Sequence, residues 1–105
     1  MNTKNEIVKT KIAEIIHSID ATAEVVLFGS KARGDDTSDS DWDILVLTKY
    51  PVSLEKEQEF RHSLLFLELE VGEAFSTFVY SKNEWLMRHR ITPFFKNISK
   101  EGIRI

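Results

Sequence analysis

The chain has 105 residues, 42% of them hydrophobic, and a formal net charge of -3 at pH 7. This length supports one core and is short for two ordinary domains, so we expect a single domain over residues 1–105. The mild acidity, with Lys and Arg dispersed among acidic residues, argues against binding to long nucleic acids. Cysteine is absent, which excludes disulfides and thiolate metal sites. No segment approaches the roughly 18 apolar residues of a membrane span, so we expect a soluble, cytoplasmic protein.

Helical and strand patterns alternate in the first half of the chain. Apolar residues from Val8 to Ile19 recur at helical spacing, which predicts an amphipathic helix over the first twenty residues. The segment AEVVLFGS is typical of a buried strand that ends at Gly29. The segment WDILVL, which begins at Trp42, indicates a second strand, entered from a polar loop and closed by a turn at Pro51.

A longer helix is expected after this turn. Ser53 is a suitable N-cap, although Lys56 stands where a complete capping box needs Glu or Gln. Apolar residues from Phe60 to Val71 can line one side of the helix, and Gly72 is a typical helix end. The sequence therefore predicts a helix that ends at Gly72.

The remainder of the chain predicts one more strand and two short helices. The segment AFSTFVY is the third strand, and Ser81 with Glu84 has capping-box spacing at the start of the next helix. Pro93 interrupts that helix and leaves a short terminal one. Helices and strands that alternate over so short a length predict an α/β (α+β) fold, a small mixed sheet with helices packed on it.

The stretch LFGSKARGDDTSDSDWDILVL, from Leu27 to Leu47, contains the residues best suited to chemistry. A strand that ends in Gly29 and Ser30 and leads into KARG has the pattern of a strand-to-helix turn. Glycine allows a ligand to approach the backbone, and the free amides of a helix start point outward. This turn suits a phosphate group.

Two carboxylates follow at alternate positions. Asp41 and Asp43 project from the same side of an extended segment, while Trp42 turns to the opposite side, into the core. Paired carboxylates are suitable ligands for a hard cation such as Mg²⁺ or Mn²⁺. A calcium-binding EF-hand loop is excluded, because Ile44 and Tyr50 stand where that loop needs glycine and glutamate. Taken alone, the Asp-rich loop is more typical of a solvated turn than of a metal site.

Together these residues resemble the signature of the DNA polymerase beta-type nucleotidyltransferase superfamily, in particular its minimal nucleotidyltransferase branch. The signature has Gly-Ser, a nearby Arg-Gly, and Ser-Asp-x-Asp before an apolar strand. The matching residues are Gly29, Ser30, Arg33, Gly34, Ser40, Asp41, Asp43 and Val46.

The resemblance implies a nucleotidyltransferase-like fold and a reaction. A nucleoside monophosphate, with AMP expected, would move from a nucleoside triphosphate to a hydroxyl of a protein or small molecule. Asp41 and Asp43 would be catalytic and would hold Mg²⁺ or Mn²⁺, and Gly29, Ser30, Arg33 and Ser40 would bind the nucleotide. For Arg33, ligand contact and a structural ion pair with a nearby aspartate stay equally open.

One departure from the family pattern bears on catalysis. The family usually has a third metal-binding carboxylate on the next strand, where this chain has Ser76 or Phe78. Glu73, at the start of that strand, could substitute only if the backbone brings it inward. The alternative function is therefore a catalytically weak, nucleotide-binding module that resembles an antitoxin. It would act by contact with a helical partner protein, HEPN-like, or by self-association.

The other candidate residues favour structural roles. His17, His62 and His89 are widely separated, so we expect surface or interface positions for them. The larger aromatic residues are expected in the core rather than as base-stacking platforms. These are Trp42, Trp85, Phe94 and Phe95.

Overall fold

The computed structural model describes residues 3–105. The helices are α1 (Lys4–Ile19), α2 (Ser30–Arg33), α3 (Leu54–Val71), α4 (Lys82–Glu84) and α5 (Pro93–Glu101). The strands are β1 (Glu24–Phe28), β2 (Trp42–Thr48), β3 (Phe75–Ser81) and β4 (Ile103–Arg104). A π-helical segment, Trp85–His89, continues α4 directly.

Within these residues the strands form one mixed sheet in the order β3-β2-β1-β4. The central pair, β1 and β2, is antiparallel, with Phe28 opposite Asp43. Strand β3 pairs with β2 in parallel, which the long crossover through α3 permits. Strand β4 adds to the free side of β1 in antiparallel direction. The predicted mixed sheet with helices packed on it is confirmed.

The polar residues that the sequence analysis placed at helix ends do cap those helices. The Ser53 hydroxyl accepts a hydrogen bond from the Lys56 amide, and the Ser81 hydroxyl accepts one from the Glu84 amide. Helix α3 ends at Gly72, which is left-handed with φ 76°. The helix predicted over the first twenty residues is observed from Lys4 to Ile19, and its first two positions, Met1 and Asn2, lie outside the described residues.

Helices cover both faces of the sheet. On one side, here called the back face, α1 and α3 pack over Val25, Leu27, Trp42, Ile44 and Val46. On the other side, here called the front face, the π-helical segment and α5 pack over Phe28, Leu45 and Leu47. Strand β2 is therefore buried on both sides, which explains its almost unbroken apolar sequence.

Two elements differ from the sequence-based predictions. Strand β4 was not predicted, because two residues are too few to show an alternating pattern. The helix that begins after Ser81 becomes π-helical at Trp85 and ends before Thr92, which caps α5. Pro93 occupies the first turn of α5, where its missing N–H costs nothing. No helix in residues 3–105 is both long and apolar enough to cross a membrane.

Candidate functional site

The Gly-Ser turn lies at the end of β1, next to the first residues of β2. Gly29 has φ 75° and ψ -161°, a conformation that residues with a side chain rarely adopt. A Cβ atom at this position would collide with a carboxylate oxygen of Asp43. The glycine is therefore required both by the backbone conformation and by the close approach of the Asp43 carboxylate.

Helix α2 begins immediately after this glycine. The amides of Ala32 and Arg33 donate to the Gly29 carbonyl at 3.1 and 3.0 Å. The first amides of a helical turn have no partner within it, so the N–H groups of Ser30 and Lys31 are suited to donate hydrogen bonds to an anion. The predicted strand-to-helix turn is thus present, and it adjoins Asp43.

Asp43 and the turn share one front-face cavity of about 440 Å³. Asp43 lies opposite Phe28 on β1, and alternation along β2 directs it to the front face. The other lining residues come from the end of β1, the turn with α2, β3 and α5: Phe28, Gly29, Ser30, Arg33, Ser76, Phe78, Phe94, Asn97, Ile98 and Glu101. This volume falls within the range of small-molecule sites. A larger hollow of about 620 Å³ along α1 contains none of these residues.

The electrostatics at Asp43 favour a cation. Burial raises the pKa of the Asp43 carboxyl, and the nearby charge of Asp41 raises it further. Arg33 acts in the opposite direction, and Glu101 adds to the increase. The ionised Asp43 carboxylate is therefore under-compensated by the protein's own charges, and a bound cation would supply the missing positive charge.

The strand next to Asp43 has a neutral residue at the position where the family pattern predicts a third metal-binding carboxylate. Ser76 is the parallel partner of Asp43 on β3, and both line the cavity, as does Phe78 two residues further. Glu73 does not replace it. Its carboxylate accepts a hydrogen bond from the Trp42 indole at 3.2 Å, and Trp42 belongs to the back-face core. Glu73 therefore lies on the opposite side of the sheet from Asp43.

A buried ion network on that back face was missed in the sequence analysis. The Lys31 side chain is only 2% exposed, and its ammonium lies 3.0 Å from Glu73 and 3.3 Å from Asp36. The same ammonium lies 4.8 Å from the centroid of the Trp42 ring. Asn5 of α1 donates to Asp36 at 3.1 Å. The sequence signal was indirect: Lys31 directly follows Ser30, the residue that the sequence predicts to contact a phosphate.

The network stabilises the ionised form of Glu73. Burial alone would raise the pKa of the Glu73 carboxyl, but hydrogen bonds from Lys31 and Trp42, together with the positive charges of Lys31 and Lys4, outweigh burial and hold that pKa below its usual value. Because Lys31 follows Ser30, and Trp42 lies between Asp41 and Asp43, the network connects the two halves of the site from behind.

Arg33 and Ser40 make structural contacts. Arg33 pairs with Asp35 at 3.2 Å and with Glu101 at 3.1 Å, and these partners raise its pKa, Glu101 more than Asp35. Of the two open alternatives, the ion pair with a nearby aspartate is present, although Arg33 also lines the cavity. The Ser40 hydroxyl accepts a hydrogen bond from the Thr37 amide at 2.9 Å and so closes the Asp-rich loop.

The described residues contain donors for a cation but no complete metal centre. Nowhere in residues 3–105 do three or more His, Cys, Asp or Glu side chains come close enough to hold a metal ion. Asp41 and Asp43 supply two anionic groups, and both are the hard oxygen ligands that Mg²⁺ and Mn²⁺ take. A cation that keeps several waters and shares the oxygens of a bound phosphate fits such a pair.

The remaining aromatic residues and histidines have mainly structural surroundings. Trp42 and Trp85 are buried in the two cores, as predicted. Phe94 packs against Phe28 and Phe78, with ring centroids 5.6 and 5.1 Å apart, and forms the apolar wall of the cavity. His89 stacks on Trp85, whereas His17 and His62 are exposed, as predicted.

Comparison with known proteins gives concordant results. The sequence matches the family model of a nucleotidyltransferase domain over residues 9–102. No match was found among curated protein sequences. A toxin–antitoxin crystal structure with AMP-PNP is 16% identical with a TM-score of 0.67, over 91% of this chain and 70% of that one. A mutant of the toxin–antitoxin MntA-HpeT is 17% identical with a TM-score of 0.65, over 92% and 70%.

A third structure, described as a minimal nucleotidyltransferase, is 23% identical with a TM-score of 0.64, over 99% of this chain and 98% of that one. At these identities the solved structures show a common fold. The family model covers most of the sequence, including the Gly-Ser turn and both aspartates of the site. The chain therefore belongs to the nucleotidyltransferase domain family.

Proposed function

We propose that this chain transfers a nucleoside monophosphate, with AMP expected, from a nucleoside triphosphate to a hydroxyl of a protein or small molecule. The observation that carries the proposal is the meeting of Gly29 and Asp43. They lie so close that no side chain fits at position 29, and the Ser30 turn opens into the same cavity. A phosphate-binding turn in contact with an under-compensated carboxylate is suited to a nucleotide bound together with a cation.

In this proposal the turn amides and the Ser30 hydroxyl bind the phosphates, with Arg33 nearby and Ser40 fixing the loop. Asp41 and Asp43 would hold Mg²⁺ or Mn²⁺, and this cation would neutralise negative charge on the phosphates. The acceptor oxygen forms a bond to the α-phosphorus, the bond to the leaving oxygen breaks, and pyrophosphate and the acceptor proton are released. Since the reaction consumes a nucleoside triphosphate, the expected location is the cytoplasm.

A second candidate function is a nucleotide-binding, antitoxin-like module with weak catalysis. Ser76 at the third carboxylate position favours it, because a neutral hydroxyl holds a divalent cation less strongly than a carboxylate does. The likeness to two toxin–antitoxin structures supports a separate protein partner. In this candidate the partner is a helical protein, HEPN-like, or a second copy of the chain.

Labelled ATP tests these proposals. The protein is incubated with Mg²⁺, ATP labelled at the α-phosphate and a lysate of its host, and the label is followed to protein and small-molecule fractions. We expect the wild type to transfer label, and Asp41→Asn with Asp43→Asn to lose metal-dependent ATP binding by at least about a hundredfold, since each charged contact contributes about 1.5–3 kcal/mol.

The matched control is Asp39→Asn, which removes an equal charge from the same loop at a residue that is not a proposed metal ligand. We expect it to bind ATP as the wild type does. Transfer that needs Asp41 and Asp43 supports the enzyme, and ATP binding without transfer to any fraction supports the binding module. Unchanged ATP binding in the double variant would overturn both.

A further inference from the structure

The outer side of α3 carries an exposed apolar strip. Leu65, Phe66 and Leu69 are 45%, 75% and 72% exposed. They share one side of the helix, because residues three and four apart are neighbours on a helix surface. Gln58 and His62, both exposed, continue this line toward the start of α3 without adding a formal charge. We call these five residues the α3 strip.

The strip lies opposite the side of α3 that packs on the sheet. Phe60, Leu64 and Leu67 face the back-face core and are at most 2% exposed. At 100° per residue, the centres of the two sides are roughly 180° apart. A helix with large apolar residues on opposite sides is typical of a helix covered on both sides. The fold covers only the inner side, so the outer one is suited to a protein contact.

A small groove adjoins the strip. It has a volume of about 100 Å³ and lies between α3 and β3, with Leu65 and Arg61 on its rim and Leu64, Phe75 and Thr77 among its lining residues. Such a recess can accept one side chain of a docked helix. Contact residues at three- and four-residue spacing are typical of helix-on-helix recognition.

The charge around the strip selects the kind of partner. Helix α3 contains five Glu, one Lys and one Arg, and Lys11 of α1 pairs with Glu70 at 3.0 Å, which leaves a smaller excess of negative charge on the helix. Both cations of α3 already pair within the helix, Lys56 with Glu59 at 2.9 Å and Arg61 with Glu57 at 3.0 Å. A second copy of the chain would bring the same excess of negative charge against this one. A partner with Lys and Arg beside its apolar side would be complementary instead.

We propose that the α3 strip docks an amphipathic helix of a partner protein whose apolar side is flanked by Lys and Arg. This inference rests on the proposed function for the existence of a partner and adds where the partner binds and what chemistry it presents. The strip is on the back face, so the docked helix leaves the front-face cavity open.

Two synthetic fluorescent peptides test the proposal by anisotropy. Both peptides have 18 residues, the length of α3, and form amphipathic helices with the same leucine residues on their apolar side. In one peptide Lys and Arg flank the leucines, and in the other Glu occupies the same positions. We expect the basic peptide to bind at least about tenfold more tightly, a difference of about 1.4 kcal/mol. Phe66→Glu, at an exposed position that the fold does not need, should remove this binding.

The matched control is Ile91→Glu, which makes the same charge change at a residue that is 78% exposed and outside α3. Equal loss in both variants, equal binding of the two peptides, or no binding would overturn the proposal. A dimer in sedimentation that Phe66→Glu converts to a monomer would assign the α3 strip to a second copy of the chain and would also overturn the proposal.

ATP binding is measured on the same samples. Failure of the strip with intact ATP binding leaves the proposed function standing, whereas loss of ATP binding by the wild type contradicts that function separately.

Discussion

The two faces of the sheet at the start of β2 differ in how far their carboxylates are compensated by positive charge. On the back face, the ammonium of Lys31 is buried and paired with Glu73 and Asp36, and the indole of Trp42 donates to the same glutamate. On the front face, burial and the charge of Asp41 raise the pKa of the Asp43 carboxyl, and the charge of Arg33 offsets this increase only in part. The carboxylates on the back face are paired with a cation of the same chain, whereas the carboxylate on the front face is not fully compensated.

Two adjacent residues of β2 therefore belong to different parts of the molecule, one to the buried ion network and the other to the candidate site. Trp42 and Asp43 are neighbours in sequence, yet the alternation of a strand places one in the rigid network and the other in the open cavity. The back-face network holds Lys31 and Trp42 in place, and their neighbours Ser30 and Asp43 are positioned on the front face as a result.

The largest expected effect is from breaking the back-face network. Lys31→Met removes the nearest cation from the Glu73 carboxylate, which is 14% exposed and keeps only Lys4 at 3.7 Å, and loss of one partner of a buried pair costs up to about 3–5 kcal/mol. Lys11→Met is the matched control, because Lys11 pairs with Glu70 at the same 3.0 Å but is 44% exposed. That pair should contribute less than about 1 kcal/mol. The free energy of unfolding in urea measures both. Similar losses in the two variants would contradict the distinction between a buried network and a surface pair.

An intermediate effect is expected at the contact between the turn and the carboxylate. Gly29→Ala introduces backbone strain of about 1–3 kcal/mol and also displaces Asp43. Gly72→Ala has nearly the same φ, 76°, but no atom within 4 Å of the added Cβ. Both variants should therefore lose stability, whereas only Gly29→Ala should weaken ATP binding, by about tenfold or more. Titration calorimetry at matched folded fractions measures this. Equal ATP affinities for the two variants would rule out the proposed role of the turn.

The smallest expected effect is on the dependence of stability on pH. The pKa of Glu73 is lowered in the folded state, so its stabilising contribution is complete above the unfolded pKa and is lost as pH falls through the lower, folded pKa. The pKa of Asp43 is raised, so its contribution has the opposite sign and favours folding as pH falls. Between about pH 7 and about pH 3, stability should therefore fall less for Glu73→Gln than for the wild type, and more for Asp43→Asn. Chemical denaturation at both pH values tests the signs. A steeper fall for Glu73→Gln would mean that Glu73 is not held ionised by Lys31.

Much of the fold could be predicted because its signals are local. Ser53, Ser81 and Gly72 act at helix ends within a few residues, so caps and helix bounds were readable from sequence. The helical and strand periods likewise reflect neighbours along the chain. Strand β4 could not be predicted, because it exists only through pairing with β1, more than 70 residues away in the sequence.

The candidate site was predictable to a similar degree and for a similar reason. Gly29, Asp41 and Asp43 lie within 15 residues of one another, and their pattern is shared with a known family. The role of Glu73 depends on which face of the sheet receives its carboxylate, and this is decided by contacts with Lys31 and Trp42. These contacts span 42 and 31 residues of sequence, so no local pattern reports them.

Strand β4 has a consequence for the width of the cavity. Helix α5, which supplies the Phe94 wall, passes through Gly102 into β4, and β4 pairs with Val26 and Leu27 beside Phe28, which forms the adjoining wall. Gly102 fits tightly, because a Cβ there would lie 2.6 Å from the Ile98 carbonyl oxygen. Both walls are thus fastened to one strand, and the outer backbone groups of β1 are protected from strand addition by other chains. A fusion or truncation that disturbs residues 103–105 would therefore widen the cavity and expose an aggregation-prone edge at the same time.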